Sequence, residues 1–278
     1  MKQTLPPLPQ ISGQFELIDT HCHLDMAVYQ SDLDSVIESA VQHGVKRIIT
    51  IGIDYPSSRQ AVNIANQYAN IFATIGFHPH DASQATIEAL KKLAELAQNR
   101  SVVGYGEIGL DYVKNYAPRD VQIKVFKQQL NLAKDLNLPV VIHDREAHED
   151  IRNLLRSVGP LPKGGVMHCF SGDVQLAQEM IDLGLHISIP GVATFANAHA
   201  LQEVIRFVDL RHLLLETDGP FLAPVPYRGK RNEPKLLLYT AQMVAKIKQL
   251  SIDTVAQATT TNAVRLFQLP ETTTNDPR

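Results

Sequence analysis

The chain has 278 residues, of which 44% are hydrophobic and 20% charged, with two cysteines and a formal net charge of −3 at pH 7. These values exclude a disordered tail, a disulfide-stapled miniprotein and a collagen-like fibre, and they leave no bulk positive charge to coat nucleic acid or an anionic membrane. Any contact with a polyanion must be local. Two cysteines cannot build a disulfide framework, no leader pattern precedes the first apolar run, and no apolar stretch approaches the roughly 20 residues needed to cross a bilayer. A soluble cytoplasmic protein is expected.

In chain order, residues 1–15 are Pro-rich and polar and predict a flexible extension, and residues 270–278 a turn-forming tail. Between them, residues 16–269 alternate short apolar runs with longer helical patterns, without a linker to divide them. The predicted strands lie in segments 15–23, 45–53, 71–79, 102–110, 139–144, 165–170, 185–192 and 212–220. Helices are predicted between them; Leu33, Val36, Ile37 and Ala40 mark one apolar face, and Ile123, Phe126, Leu130 and Ala133 another. Strands this continuously apolar are buried on both faces. Eight of them alternating with helices predict a single (β/α)8 barrel, with a doubly wound open sheet as the rival.

Ionisable residues collect at the C-terminal ends of these strands: His21 and His23, His78, Glu107, His143, His168 and Asp218. In a barrel those ends meet on one face, where active sites are built. In His21-Cys22-His23 the two-residue strand period sends both imidazoles to one side and the thiol to the other. The same parity turns Cys169 away from His168, so both cysteines are expected to be small buried hydrophobes. A cluster of imidazoles and carboxylates in one barrel mouth has no structural reason other than a metal site. Four imidazoles and two carboxylates suit two ions: His21, His23, Glu107 and Asp218 around one, and Glu107, His143 and His168 around the other, with Glu107 as the bridge. The donor set fits Zn, Mn, Fe or Co, and an open position would admit Mg. Such a pair of ions activates water for hydrolysis at phosphorus or carbonyl centres, with Asp218 as general base.

Substrate contacts are expected around the same mouth from His78, His80, Asp111, Tyr112, Arg145 and the loop 226–234, whose Arg228 and Lys230 are candidate phosphate ligands because late barrel loops often hold phosphate. Glu233 is a candidate partner for Arg228 or Arg231. With no Trp in the chain, Tyr112, Tyr227 and Phe77 are the available stacking platforms. His43, His148, His186, His199 and His212 are expected in ordinary polar or buried roles.

The segments IDTHCHLD (18–25), GFHPH (76–80), GEIGLDY (106–112), PVVIHDREA (139–147), GGVMHCFSG (164–172), SIPGVATF (188–195), LLLETDGPFL (213–222), PVPYRGKRNEP (224–234) and TTTNAVRLF (259–267) resemble the TatD-type metal-dependent deoxyribonucleases. The resemblance runs from about Phe15 to Leu269. It implies a (β/α)8 hydrolase in which His21, His23, Glu107, His143, His168 and Asp218 hold divalent metal. It also implies attack on DNA phosphodiesters from the 3′ end, with His78, Arg145 and Arg228 near the phosphates. Asp144 stands where such proteins often have Ser or Thr and is expected to orient His143 or Arg145, or to weaken phosphate binding.

The leading expectation is a two-metal hydrolase (Mg, Mn or Zn) acting on DNA or oligonucleotide ends, with no membrane and no obligate protein partner. The alternative keeps the metals and moves the chemistry to a carbonyl, as in a lactonase, deacylase or aminoacyl-tRNA deacylase. A binding module without turnover is disfavoured, because binding alone would not need the ligand set.

Overall fold

Each of the eight apolar runs forms a strand: β1 (Leu17–Cys22), β2 (Val45–Ile51), β3 (Ile71–Ile75), β4 (Val102–Asp111), β5 (Val140–Arg145), β6 (Gly165–Met167), β7 (Leu185–Ile189) and β8 (Leu213–Leu215). The structure, a computed structural model, describes residues 6–270. All neighbouring strands pair in parallel and in chain order, and a parallel bridge between Cys22 and Gly219 links the end of β1 to the chain just beyond β8. The result is a nearly closed (β/α)8 barrel, not an open doubly wound sheet.

The helices between and after the strands are α1 (Leu33–Gln42), α2 (Tyr55–Gln67), α3 (Ile87–Leu96), α4 (Arg119–Asp135), α5 (His148–Val158), α6 (Val174–Asp182), α7 (His199–Phe207), α8 (Leu237–Lys248) and α9 (Ile252–Phe267). Side-chain caps start four of them: Asp54, Thr86, Asp173 and Ser251 each accept a hydrogen bond from a backbone N–H in the first turn. On α4, Phe126, Leu130 and Ala133 are buried as the spacing predicts, while Ile123 is half-buried. Gln122 and Gln129 are buried beside them, and each finds complete partners. Gln122 bonds both backbone groups of Asp111 and the Ala117 carbonyl, and Gln129 bonds both backbone groups of Phe77. Two amides on one helix thus hold the loops that follow β3 and β4.

Strand alternation organises the interior. Ile18, Ile49, Ile51, Phe72, Val103, Val141, Val166 and Leu214 form one cluster with Ala263, Leu266, Phe267 and Leu269, so α9 and the residues after it close the N-terminal end of the barrel. Two residues further along the same inward faces stand His143 after Val141, His168 after Val166 and Glu216 after Leu214. The lower interior is therefore sealed with apolar groups and the upper interior carries the ionisable ones. In β1 the register shifts between Asp19 and Cys22, which allows His21 and His23 to face inward although Ile18 does too. Gly109 pairs with His143 in the β4–β5 ladder at φ +150°, and a Cβ there would stand 1.9 Å from the His143 carbonyl oxygen. Only glycine leaves His143 in place.

The β1–β8 seam is held by polar contacts rather than by a full ladder. Asp19 accepts from the backbone N–H and the hydroxyl of Thr217 at 2.9 and 2.5 Å, Asp218 N–H donates to the His21 carbonyl at 2.8 Å, and His23 N–H donates to the Gly219 carbonyl at 2.7 Å. Burial pushes the Asp19 carboxyl up to about 7, against the bonds from Thr217 and His21 that favour its charge.

In the extension, Leu8, Ile11 and Phe15 pack against the main core, Ser12 N–H donates to Asp253, and the Pro6 carbonyl accepts from the Tyr239 hydroxyl. Residues 1–5 and 271–278, within the predicted extension and tail, lie outside the described residues. Among the described residues no helix is long and apolar enough to cross a membrane.

Candidate metal centre

At the C-terminal mouth the predicted strand-end residues converge. Glu107, 3% exposed, stands at the centre, with its two carboxylate oxygens facing different histidines. Oε2 lies 3.4 Å from His21 Nε2 and 3.8 Å from His23 Nε2, and Oε1 lies 2.7 Å from His143 Nδ1 and 3.0 Å from His168 Nε2. Asp218 Oδ1 is 3.4 Å from His23 Nε2 and 3.7 Å from His21 Nε2, and the two Nε2 atoms are 3.3 Å apart.

Two donors each about 2.0–2.1 Å from one tetrahedral ion stand about 3.3–3.4 Å apart. The His21–His23, His21–Glu107 and His23–Asp218 pairs have that spacing, and the His21–Asp218 and His23–Glu107 pairs are a few tenths of an ångström longer. His21, His23 and Glu107 form one group with metal-ligand spacing, His78, Glu107 and His143 a second, and His21, His168 and Glu216 a third. The residues fit divalent metal. His78 approaches Glu107 Oε1 to 3.5 Å, so it belongs to the cluster and not only to its rim.

The charges are mutually set. Burial opposes ionisation of Glu107, yet His168, His78 and His143 together hold its carboxyl well below the usual range. Burial is likewise outweighed at Asp218 by His23, His168 and His21, and that carboxyl is lowered. Burial disfavours the charged form of His168 and His143, but Glu107 and Glu216 raise the first well above its usual value, and Asp111 and Glu107 raise the second. Burial with His168 alongside lowers His21, and burial lowers His78 strongly. Both carboxylates are held in the ionised form that binds a cation.

Glu216 is the residue that the sequence reading missed. It is 1% exposed, and its Oε1 lies 3.2 Å from His168 Nδ1 and accepts from the Cys169 N–H at 2.6 Å. The signal was present: Leu214, Glu216 and Asp218 share one parity.

Several expected contacts are placed differently. Arg145 is exposed and lines a cavity of about 460 Å³ with His143, His168, Cys169, Asp218 and Phe221. Arg228 and Lys230 are exposed on their loop, with Arg228 over the Phe195 ring at 4.5 Å and Lys230 over Tyr227 at 5.5 Å. Arg231 is structural: it bonds Asp32 through both terminal nitrogens at 2.9 and 2.7 Å and pairs with Glu233 at 2.9 Å. Tyr112 donates to Asp150 at 2.5 Å, and the Arg119 guanidinium lies 4.0 Å from its ring centre. Asp111 accepts from the Val113 and Lys114 N–H groups and lies 2.9 Å from His80 Nε2. Asp144 turns to His148 at 2.7 Å rather than to His143 or Arg145.

Two expectations are corrected here. Cys22 is fully buried in the outer core, but β6 ends at Met167, Cys169 takes a left-handed φ of 44°, and parity no longer governs it. It lines the cavity half-buried instead of packing away. Burial and the nearby carboxylates raise its thiol well above the usual value, so it stays protonated. Of the expected stacking platforms, Phe77 is 2% exposed, Tyr112 is covered by Arg119, and Tyr227 packs against Tyr239 and Lys230.

Comparison with known proteins agrees with the barrel fold and with metal-dependent hydrolysis. The profile of the family described as TatD related DNase matches residues 18–268. An uncharacterised metal-dependent hydrolase, YabD of Bacillus subtilis, is 43% identical over 91% of this chain and 99% of its own length. The 3′-5′ ssDNA/RNA exonuclease TatD of Erwinia amylovora is 35% identical over 91% of this chain and 100% of its own. The crystal structure of YjjV, a TatD homologue from Escherichia coli K12, superposes with a TM-score of 0.87 at 31% identity, covering 91% of this chain and 98% of that one. The chain belongs to the TatD-related DNase family and is a metal-dependent hydrolase.

Proposed function

We propose that this protein hydrolyses phosphodiesters at the ends of DNA strands, releasing product from the 3′ end, with two divalent cations (Mg, Mn or Zn) in the barrel mouth. The observation that carries this reading is the division of Glu107: one oxygen faces His21 and His23, the other His143 and His168. His21, His23, Glu107 and Asp218 would hold one ion, and Glu107, His143 and His168 the other. Cations so placed would polarise the phosphoryl group and make a bound water acidic.

The chain's own groups do the rest. Asp218, ionised at neutral pH, takes the proton of the attacking water as the water oxygen bonds to phosphorus, and the sugar oxygen leaves with the electron pair of the broken P–O bond and takes a proton from solvent. Arg145, on the cavity wall, balances phosphate charge with a paired set of donors. Arg228 and Lys230 extend that cationic side along the later loop. Tyr112, with its hydroxyl held by Asp150, shapes the opposite loop beside Asp111. The exonuclease name of the Erwinia amylovora relative supports a nucleic-acid substrate.

The test is to strip the protein of metal, add end-labelled single-stranded DNA, and restore Mg, Mn or Zn separately. Laddering from the 3′ end that requires metal and disappears in Asp218→Asn is the expected result. Protein that rebinds two ions and cleaves no strand would overturn the reading in favour of ester or aminoacyl substrates.

A further inference from the structure

Three aromatic side chains are exposed among the described residues: Tyr116 at 70%, Phe207 at 67% and Phe221 at 49%. Phe207 ends α7, on the side of the barrel away from the metal centre. The other two stand at the mouth, each packed edge-on against a histidine of the site. The Tyr116 ring lies 4.8 Å from His80 at 80°, and His80 lies 6.4 Å from His143. The Phe221 ring lies 6.0 Å from His23 at 70°, and Phe221 also lines the cavity with Arg145 and Asp218.

Tyr116 follows β4 and Phe221 follows β8, strands four apart in an eight-strand ring, so the two rings rise from opposite walls. Resting on the nucleic-acid reading above, we infer that Tyr116 and Phe221 are the base-stacking residues of this site, and that they select strands whose bases are unpaired.

The physical case has three parts. An exposed aromatic face beside a polar cavity is apolar surface that a flat ligand covers, and every nucleobase has such a face. A base already stacked and paired in a duplex cannot offer it, so the two rings discriminate by strand state and not by sequence. Finally, the remaining aromatic groups near the mouth are covered: Tyr112 by Arg119, Phe195 by Arg228, and Tyr227 by Tyr239 and Lys230.

Both rings sit on braced backbone, so truncating them leaves the site standing. Phe221 N–H donates to the Asp218 carbonyl at 2.8 Å, and its own carbonyl accepts from Asn232 at 2.7 Å. The loop carrying Tyr116 is tied at Asp111 and Ala117 by Gln122.

The test is fluorescence anisotropy of the full chain in EDTA, so that no strand is cut, with labelled octathymidylate, an abasic octamer and a duplex of the same length. Wild type is expected to bind octathymidylate about tenfold or more tighter than either control. Tyr116→Ala and Phe221→Ala are each expected to lose about tenfold on octathymidylate and nothing on the abasic strand, while Tyr116→Phe and Phe221→Tyr bind as wild type. Alanine variants that hold octathymidylate as wild type does, or that lose both strands equally, overturn the inference. Cleavage of bis(4-nitrophenyl) phosphate with Mn separates the two readings. Cleavage without base-dependent binding keeps the hydrolase reading and removes the stacking one; base-dependent binding without cleavage does the reverse.

Discussion

Glu216 lies 3.2 Å from Nδ1 of His168 while Nε2 of the same ring lies 3.0 Å from Glu107. A carboxylate on one ring nitrogen fixes the tautomer and points the other nitrogen into the metal cluster. Glu216 also anchors the Cys169 N–H, so it sets both the ring and the backbone that carries it. Replacing Glu216 with Gln is expected to weaken divalent-metal binding by about 10–100-fold, read by competition with a chromogenic chelator. Unchanged affinity would refute this orienting role.

Asp218→Asn keeps an oxygen for the metal and removes the proton acceptor. Turnover on a phosphodiester is expected to fall by about 10²–10⁴ with metal content retained by elemental analysis. A variant as active as wild type would assign the base elsewhere.

Asn232 is fully buried and holds the turn that carries Asp218: its amide donates to the carbonyls of Thr217 at 2.8 Å and Phe221 at 2.7 Å. Asn232→Asp removes both donors and turns a charge toward two carbonyl oxygens. It is expected to cost about 2–4 kcal/mol in urea unfolding and to lower kcat more than it raises KM. Wild-type unfolding and kinetics together would show that the turn holds without it.

His186, half-buried in β7, is pushed down to about 4, chiefly by burial and then by His212 and Arg265, against the Gly165 backbone contact that raises it. In the unfolded chain its value is about 6.5. Between those values the unfolded chain binds a proton that the folded one refuses, so this stability is complete above about pH 6.5 and is lost as pH falls toward 4. His186→Gln is expected to reduce the acid loss across that window by about 2–3 kcal/mol in pH-dependent urea unfolding. Parallel stability curves for variant and wild type would exclude the assignment.

Much of this was legible in the order of residues. Eight apolar runs at regular intervals, with helical spacing between them, suffice for a barrel, because a strand buried on both faces leaves a dense apolar signature. Parity suffices to bring His143 and His168 to one mouth, because the strand period is two residues and inward positions stack in register, whereas Asp218, past the end of β8 at a left-handed φ of 56°, is placed by its backbone bond to the His21 carbonyl. His21 and His23 share a side for the same reason, although their inward turn also needs the β1 register shift.

Tertiary contact was needed where a side chain has more than one candidate partner. The basic run after β8 reads as three similar cations until Arg231 is seen clamped to Asp32, some 200 positions away, while Arg228 and Lys230 stay exposed. Asp144 could face either neighbour until α5 brings His148 to it. Cys169 escapes parity because its backbone turns left-handed after β6. Which aromatic rings are free is set by what packs over them: Arg119 covers Tyr112, whereas Tyr116 and Phe221 stay open. Periodicity is a local property of the chain and fixes which face a residue takes; the pairing of charges and the covering of rings depend on segments that meet only when the barrel closes.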